Sequence, residues 1–416
     1  MTFFTLYIDP GTGSMLFSLF ITLAATATFA ARALYLKLKF AFSLGKAEKA
    51  ENQNIPIVIF SDHKRYWNVF KPICDEAERR GVPIVFYTAS ADDPALSASY
   101  SFVRAEYLGE GNKPYARLNM LHADILVATT PNLDVYQWKR SRTVKWYVHV
   151  PHLIDDLTTY RMFALDYYDA VLLNGPHQEE RIRFFEKERN LPQKELPVVG
   201  STYMDTLLEK KNSLGFVKEG GSSQKIVLVA PSWGKSSILS RFGSSLLDAL
   251  CRTGYTVVVR PHPQSMVSEK NMLDALTAEF ADRTNLSWNY DNDNFSVLNE
   301  SDIMITDFSG IIFDYSMIFD KPLIYADTSF EPLPYDADWL PSGDGPWCFK
   351  ILPELGIKLC EADFPRIKEI IDGACKSRDG SERRLHIRSL AWRNQGNAAK
   401  ATVDYIVKKL SELSAR

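Results

Sequence analysis

The chain has 416 residues, a formal charge of −3, and 46% apolar and 12% aromatic residues. That length suits two domains of ordinary size with an appendage, and the near-balanced charge argues against a general nucleic-acid binder. Its five cysteines (Cys74, Cys251, Cys348, Cys360 and Cys375) show no CxxC spacing. They suggest neither a disulfide framework nor a zinc site, and they fit a reducing compartment.

The first segment differs from the rest. No charged residue occurs from Pro10 to Ala31, and residues 14–34 are dominated by Met, Leu, Phe, Ile, Ala and Thr. With Arg32 snorkelling, this run reaches the ~20 residues that a membrane-crossing helix needs. A signal peptide would place its basic region before the apolar core. Here Asp9 precedes the core, while Arg32, Lys37, Lys39, Lys46 and Lys49 follow it. Positive residues mark the cytoplasmic flank. Residues 1–45 are therefore expected to be a single-pass anchor in the cytoplasmic (inner) membrane, with the rest of the chain on the cytoplasmic side.

A polar linker at 46–54 leads into strand–helix alternation. Strands are expected at 57–60, 82–87, 123–130, 145–150, 168–173 and 196–200, with helices near 67–80 and 178–189. Short β-branched runs alternating with helices indicate a parallel, doubly wound sheet, here over 55–210. A hydrophilic break at 210–224 marks a domain boundary. Alternation restarts with strands at 226–230, 256–260, 286–288, 303–306 and 323–326. Helices are expected at 244–252, 269–282 and 296–299, one running to 319, and closing helices at 362–374 and 398–411. The second domain spans 224–416, and 328–345, rich in Pro, Asp and Gly, reads as a surface loop. Two such domains leave a cleft, where ligand sites are favoured.

Three strand ends of the second domain carry chemistry. The first ends in Pro231-Ser232-Trp233-Gly234-Lys235, the second in Arg260-Pro261-His262-Pro263, and the third in Asp307-Phe308-Ser309-Gly310 before a helix. Open α/β sheets bind ligands at such ends, and a helix N-terminus attracts phosphate through free N–H groups and its dipole. This half therefore looks built to hold a diphosphate. The Ser309–Gly310 turn is the expected phosphate contact, Ser232 and Lys235 occupy an equivalent loop, and Asp307 is a binding residue or only the helix N-cap. Pro261 and Pro263 fix the backbone around His262, which with Arg260 could stabilise charge on a leaving phosphate. Asp314 reads equally as a solvated residue or a ribose contact.

In the first domain, His149 and His152 flank Val150-Pro151 at a strand end, and either is a candidate general base. Asp155 and Asp156 are candidates to orient a histidine, or ordinary N-terminal helix charges. His63 is an outside candidate, while His122, His177 and His386 read as surface or packing residues. No GxGxxG follows a strand and no GxxxxGK[ST] occurs, which removes the best support for dehydrogenase and P-loop readings. No HExxH or clustered Cys/His set is present, so neither a catalytic metal nor a cofactor is implied.

The segments Val229-Ala230-Pro231-Ser232-Trp233, Val259-Arg260-Pro261-His262-Pro263 and 302–315, with Lys321-Pro322-Leu323-Ile324-Tyr325, resemble the CDP-glycerol:poly(glycerophosphate) glycerophosphotransferase family. The resemblance covers 225–327 and extends to Gln395-Gly396-Asn397-Ala398. It implies a GT-B fold, two Rossmann-like domains facing a cleft, with the nucleotide held by the C-terminal domain. It further implies metal-independent transfer of glycerol phosphate, or a related polyol phosphate, from a CDP-activated donor to a lipid-linked, teichoic-acid-like acceptor at the membrane. By position, His262 would stabilise the diphosphate, the Ser309 turn would hold phosphate, and a first-domain histidine would be the base. Where the family has Trp-His-Gly-Thr, this chain has Tyr147-Val148-His149-Val150-Pro151-His152-Leu153, so the base stays open between His149 and His152. Its phosphate turn has Ser309-Gly310 where Ser-Ser is commoner, and a transmembrane span is not the family's usual attachment. The alternatives are a GT-B glycosyltransferase using a UDP- or GDP-sugar in envelope glycan synthesis, and a scaffold that keeps the cleft only for binding.

Overall fold

The computed structural model describes residues 54–213 except 159, 224–326 except 292, 331–333, 340, 345–377 and 379–415, together with Thr26 and Ala31. Residues Ile55–Arg416 form one compact unit. The expected membrane anchor at 1–45 lies outside the described residues, as do most of the hydrophilic break and of the 328–345 loop. Among the described residues, no helix is long and apolar enough to cross a membrane.

Two six-stranded sheets carry the fold. The first contains β1 (Ile55–Ser61), β2 (Ile84–Thr88), β3 (Val103–Tyr107), β4 (Ala123–Ala128), β5 (Val144–His149) and β6 (Ala170–Val171), in the order β3-β2-β1-β4-β5-β6. The second contains β7 (Ile226–Ala230), β8 (Thr256–Val259), β9 (Leu286–Trp288), β10 (Ile303–Thr306), β11 (Leu323–Ala326) and β12 (Gly356–Leu359), in the order β12-β11-β10-β7-β8-β9. Every pairing is parallel. The central strands are buried on both faces, as a sheet covered by helices on each side requires.

The departures from expectation lie at the sheet edges. β3 reads Val-Arg-Ala-Glu-Tyr and β12 reads Gly-Ile-Lys-Leu, both too polar to stand out as buried strands. The expected strand at 196–200 makes only isolated bridges, Ala170 with Glu195 and Leu173 with Val198. The expected helix at 269–282 is divided into Ser265–Ser268 and Lys270–Glu279.

The chain crosses between the sheets twice. Helix Thr202–Ser213 leads from the first sheet to the second, and the last helix, Ala398–Ser414, returns to the first. There Val403 and Ile406 join the core beneath β1 and β4, Arg80 pairs with Asp404 (2.6 Å), and Lys409 with Glu195 (2.6 Å). Buried Asp205 joins the crossings. Its carboxylate accepts from Trp392 Nε1 (2.9 Å), Gly396 N–H (2.8 Å) and Ala398 N–H (3.0 Å). Beside it Gly200 takes φ +93°, and an added Cβ would lie 2.1 Å from the Arg393 carbonyl oxygen. Gly200→Ala is therefore expected to lose at least the order of 1–3 kcal/mol from backbone strain alone, with the clash adding to it. Urea unfolding should show a lower midpoint at unchanged slope, and an unmoved midpoint would contradict this close crossing.

Candidate active site

A cavity of about 430 Å³ opens at the C-terminal ends of the strands of both sheets. The loop after β5 supplies His152 and Asp155, and the crossing helix supplies Tyr203. The loops after β7, β8 and β10 supply Ser232, His262, and Ser309 with Asp314. Of the residues expected at the site, His152, His262, Ser232, Ser309 and Gly310 are brought together here.

Asp307 lies beneath the cavity. One carboxylate oxygen accepts the N–H groups of Ser232 (2.8 Å) and Ser309 (3.1 Å), and the other accepts that of Ile238 (2.8 Å) at the start of helix Ile238–Arg252. Three segments distant in sequence are thus tied to one carboxyl. Burial pushes that carboxyl up to about 6, against the opposing pull of its donors. Asp307 acts as the post of the turn at Ser309. Ser232 Oγ is buried beside the Asp307 carboxyl, whose pKa it helps to lower, and its residue lines the cavity. Gly310 has helical backbone angles and open space where a Cβ would stand, so serine fits that position as well.

The two histidines of the cavity present different edges. Gln264 N–H donates to His262 Nδ1 (3.1 Å), so the neutral ring carries its proton on Nε2. Burial lowers the His262 pKa, and the Glu269 charge partly restores it. His152 Nδ1 lies 2.9 Å from Thr129 Oγ1, which leaves Nε2 as the nitrogen open to the cavity. Burial, then the Arg65 charge, push the His152 pKa down to about 4 against the nearby Thr129 carbonyl, so the ring is neutral at pH 7.

Two expected residues are not brought in. His149 is fully buried, packed edge-on against Tyr160 and Tyr168, and burial holds its pKa well below the usual histidine value. Arg260 turns toward the end of β9, where its guanidinium meets Asn289 Oδ1 and the Asp291 carbonyl (2.8 Å). Lys235 and the exposed His63 also stand apart from the cavity wall. Asp155 orients no histidine. It accepts the N–H groups of Asp156 (2.9 Å) and Cys348 (3.1 Å) at the start of helix Trp347–Leu355, and burial, then the Asp156 charge, raise it to about 7. Asp156 instead faces buried Arg181 (3.8 Å).

Tyr203 was not singled out from sequence, because nothing local marks a tyrosine in a crossing helix as facing a cavity. Its hydroxyl donates to Asp314 Oδ2 (2.9 Å), which Asn294 Nδ2 also approaches (3.4 Å). Asp314 is therefore a buried cavity residue, and burial raises its pKa to about 6.

The model of the CDP-Glycerol:Poly(glycerophosphate) glycerophosphotransferase family matches residues 162–336, spanning the turns of Ser232, His262 and Ser309. Over that segment, less than half of its length, the chain is similar to this family of enzymes. No curated protein sequence matches it. Among solved structures, the wall teichoic acid polymerase TagF aligns over 86% of this chain and 89% of its own at 16% identity, with a TM-score of 0.55. A histidine variant of TagF soaked with CDPG aligns over 86% and 90% at 15% identity, with a TM-score of 0.57. A Listeria monocytogenes protein provisionally assigned as a UDP-N-acetylglucosamine 2-epimerase aligns over 86% and 97% at 11% identity, with a TM-score of 0.50. At these identities the likeness shows the fold, a GT-B-like pair of parallel sheets.

Two predictions follow from the buried acids of this site. Asp307→Asn keeps one acceptor oxygen where three N–H donors converge, so one or more is left unsatisfied at a cost of about 1–3 kcal/mol each. Differential scanning calorimetry should show a clear drop in Tm, and a near-unchanged value would remove Asp307 as the post. Asp314 has a folded pKa (about 6) above its ordinary 3.8. Its contribution to stability is full below the lower value and lost as pH rises through the upper one. Asp314→Asn should thus gain on the wild type between pH 4 and pH 7, by on the order of 3 kcal/mol. Parallel stability curves for the two proteins would refute this.

Proposed function

We propose that this protein transfers glycerol phosphate, or a related polyol phosphate, from a CDP-activated donor to a hydroxyl of a lipid-linked, teichoic-acid-like acceptor. The observation that carries the reading is one cavity in which His262 presents a proton donor and His152 an open Nε2, beside Ser232 and the Ser309 turn. The family match over 162–336 supports the donor class. The apolar stretch within residues 1–45 supports attachment to the cytoplasmic membrane, which would confine enzyme and lipid-linked acceptor to one surface.

In this mechanism the diphosphate lies against Ser232, the Ser309 turn and His262. The neutral His262 Nε2–H donates to a phosphate oxygen, an interaction that strengthens as charge develops on the departing CMP. His152 Nε2 accepts the proton of the acceptor hydroxyl while that oxygen attacks the phosphorus bearing glycerol. The bond from that phosphorus to the CMP oxygen breaks, CMP leaves with the electron pair, and the proton on His152 is returned to solvent. A base with a low pKa before the donor binds is neutral and ready at pH 7, and the arriving diphosphate, an anion, raises its affinity for the proton.

The test uses the full chain in detergent, with CDP-glycerol, CDP-ribitol, UDP-sugars and GDP-sugars as donors. His152→Ala should keep CDP-glycerol binding and lose turnover by ~10²–10⁴-fold. His262→Ala should weaken CDP-glycerol binding by about 10- to 100-fold, the loss of a hydrogen bond to a charged group. Binding and turnover with UDP- or GDP-sugars alone would establish the glycosyltransferase alternative. Donor binding with no turnover, insensitive to His152, would establish the scaffold.

A further inference from the structure

His149 is the histidine that the cavity does not use, yet it is connected to the one that the cavity does. The Tyr160 hydroxyl lies 3.3 Å from His149 Nε2 and 3.3 Å from His152 Nδ1. The ring of Tyr160 stacks on His152 (centroids 5.7 Å apart, 25° between planes) and meets His149 edge-on (5.6 Å, 88°). The three side chains form one hydrogen-bonded row running from the core to the cavity wall. His149 and Tyr160 are 0% and 8% exposed, so water does not take either one's place in the row.

A tyrosine hydroxyl carries one proton and donates to one partner at a time. If Tyr160 donates to His152 Nδ1, that nitrogen is an acceptor and the neutral His152 must carry its proton on Nε2, toward the cavity. If Tyr160 donates to His149 Nε2, its oxygen remains an acceptor, His152 can carry its proton on Nδ1, and the Nε2 lone pair faces the cavity. Thr129 Oγ1, nearer to the same Nδ1 at 2.9 Å, offers a second acceptor for that proton. His149 Nδ1 is buried with no partner. Such an orphan costs free energy and calls for an explanation. When Nε2 accepts from Tyr160, this nitrogen holds the His149 proton as a buried N–H without an acceptor, and the His149 to Tyr160 bond has to offset that penalty.

Resting on the transferase reading above, we infer that His149 is a positioning residue: by accepting the Tyr160 hydroxyl proton, it fixes His152 in the tautomer whose Nε2 is free to act as base. The direction of one buried O–H bond thus sets which edge of His152 is chemically available. His149 itself touches no substrate.

The row makes a prediction that packing alone does not. Removing the hydroxyl (Tyr160→Phe) deletes the link but introduces no competing donor to His152. Removing the acceptor (His149→Phe) frees the Tyr160 proton to turn onto His152 Nδ1, which drives His152 into the unproductive tautomer. With the full chain in detergent, Tyr160→Phe should lower kcat about three- to tenfold, the weight of one hydrogen bond, with the donor KM unchanged. His149→Phe should lose more than that. The double variant His149→Phe/Tyr160→Phe should recover to the level of Tyr160→Phe alone. Nitrogen-15 NMR of selectively histidine-labelled protein, without any donor, should show His152 protonated at Nδ1 in the wild type and at Nε2 in His149→Phe. A wild-type His152 protonated at Nε2, an unchanged tautomer in His149→Phe, or a double variant worse than both singles would overturn the inference. The NMR result stands whichever donor the enzyme uses, so failure of the transferase reading and failure of this one are distinguishable.

Discussion

The site depends on a carboxylate committed to backbone N–H groups. Asp307 collects the N–H groups of Ser232, Ser309 and Ile238 beneath the cavity floor, and so gathers the loops after β7 and β10 and the start of a helix around one point. A buried carboxyl is costly unless such donors surround it, and here the cost fixes geometry. With their N–H groups committed below, Ser232 and Ser309 are held at the cavity wall. The same economy governs the crossing, where Asp205 collects Trp392, Gly396 and Ala398 and brings the last helix back to the first sheet.

The first-sheet side of the cavity is held differently. Its loop, 151–158, carries His152 and inserts Ile154 into a core made mostly by residues of the second sheet. Asp155 accepts the Cys348 N–H, while Trp347 lies against His177 of the first-sheet region (4.2 Å) and Phe313 of the second (5.9 Å). The position of His152 relative to His262 is therefore set by contacts that join the two halves, and both sides of the proposed reaction are placed by one packed interface.

Much of the architecture was legible because the central strands are short, apolar and followed by helices. The strand-end residues Ser232, His262 and Ser309 could be placed because parallel sheets put such ends at one edge. Edge strands escaped notice for the opposite reason: β3 and β12 bury too little to show an apolar signature. Side-chain direction was not legible at all. Arg260 lies two residues from His262, yet it points to Asn289 and Asp291, and Asp307 turns downward to serve backbone. Tyr203 reaches the cavity only because a helix from one half crosses to the other, and nothing in its local sequence encodes that path.

The pair His149 and His152 shows where sequence reasoning stops for a physical reason. Three residues apart around Val150-Pro151, they are alike in type and both lie near the strand's end, and residue type alone offers no basis for choosing between them. The strand decides. His149 is its last residue, pairs with Ala128 and Val171 on either side, and is enclosed, whereas His152 lies beyond Pro151, where the chain has left the sheet. A ring enclosed on the sheet cannot gain a proton without paying for a buried charge, so it stays neutral and can serve as a fixed acceptor. A ring at the cavity wall can exchange protons with what enters. Burial thus separates two identical side chains into one suited to orient and one placed, in the proposed reaction, to act as base, and Tyr160 lies between them.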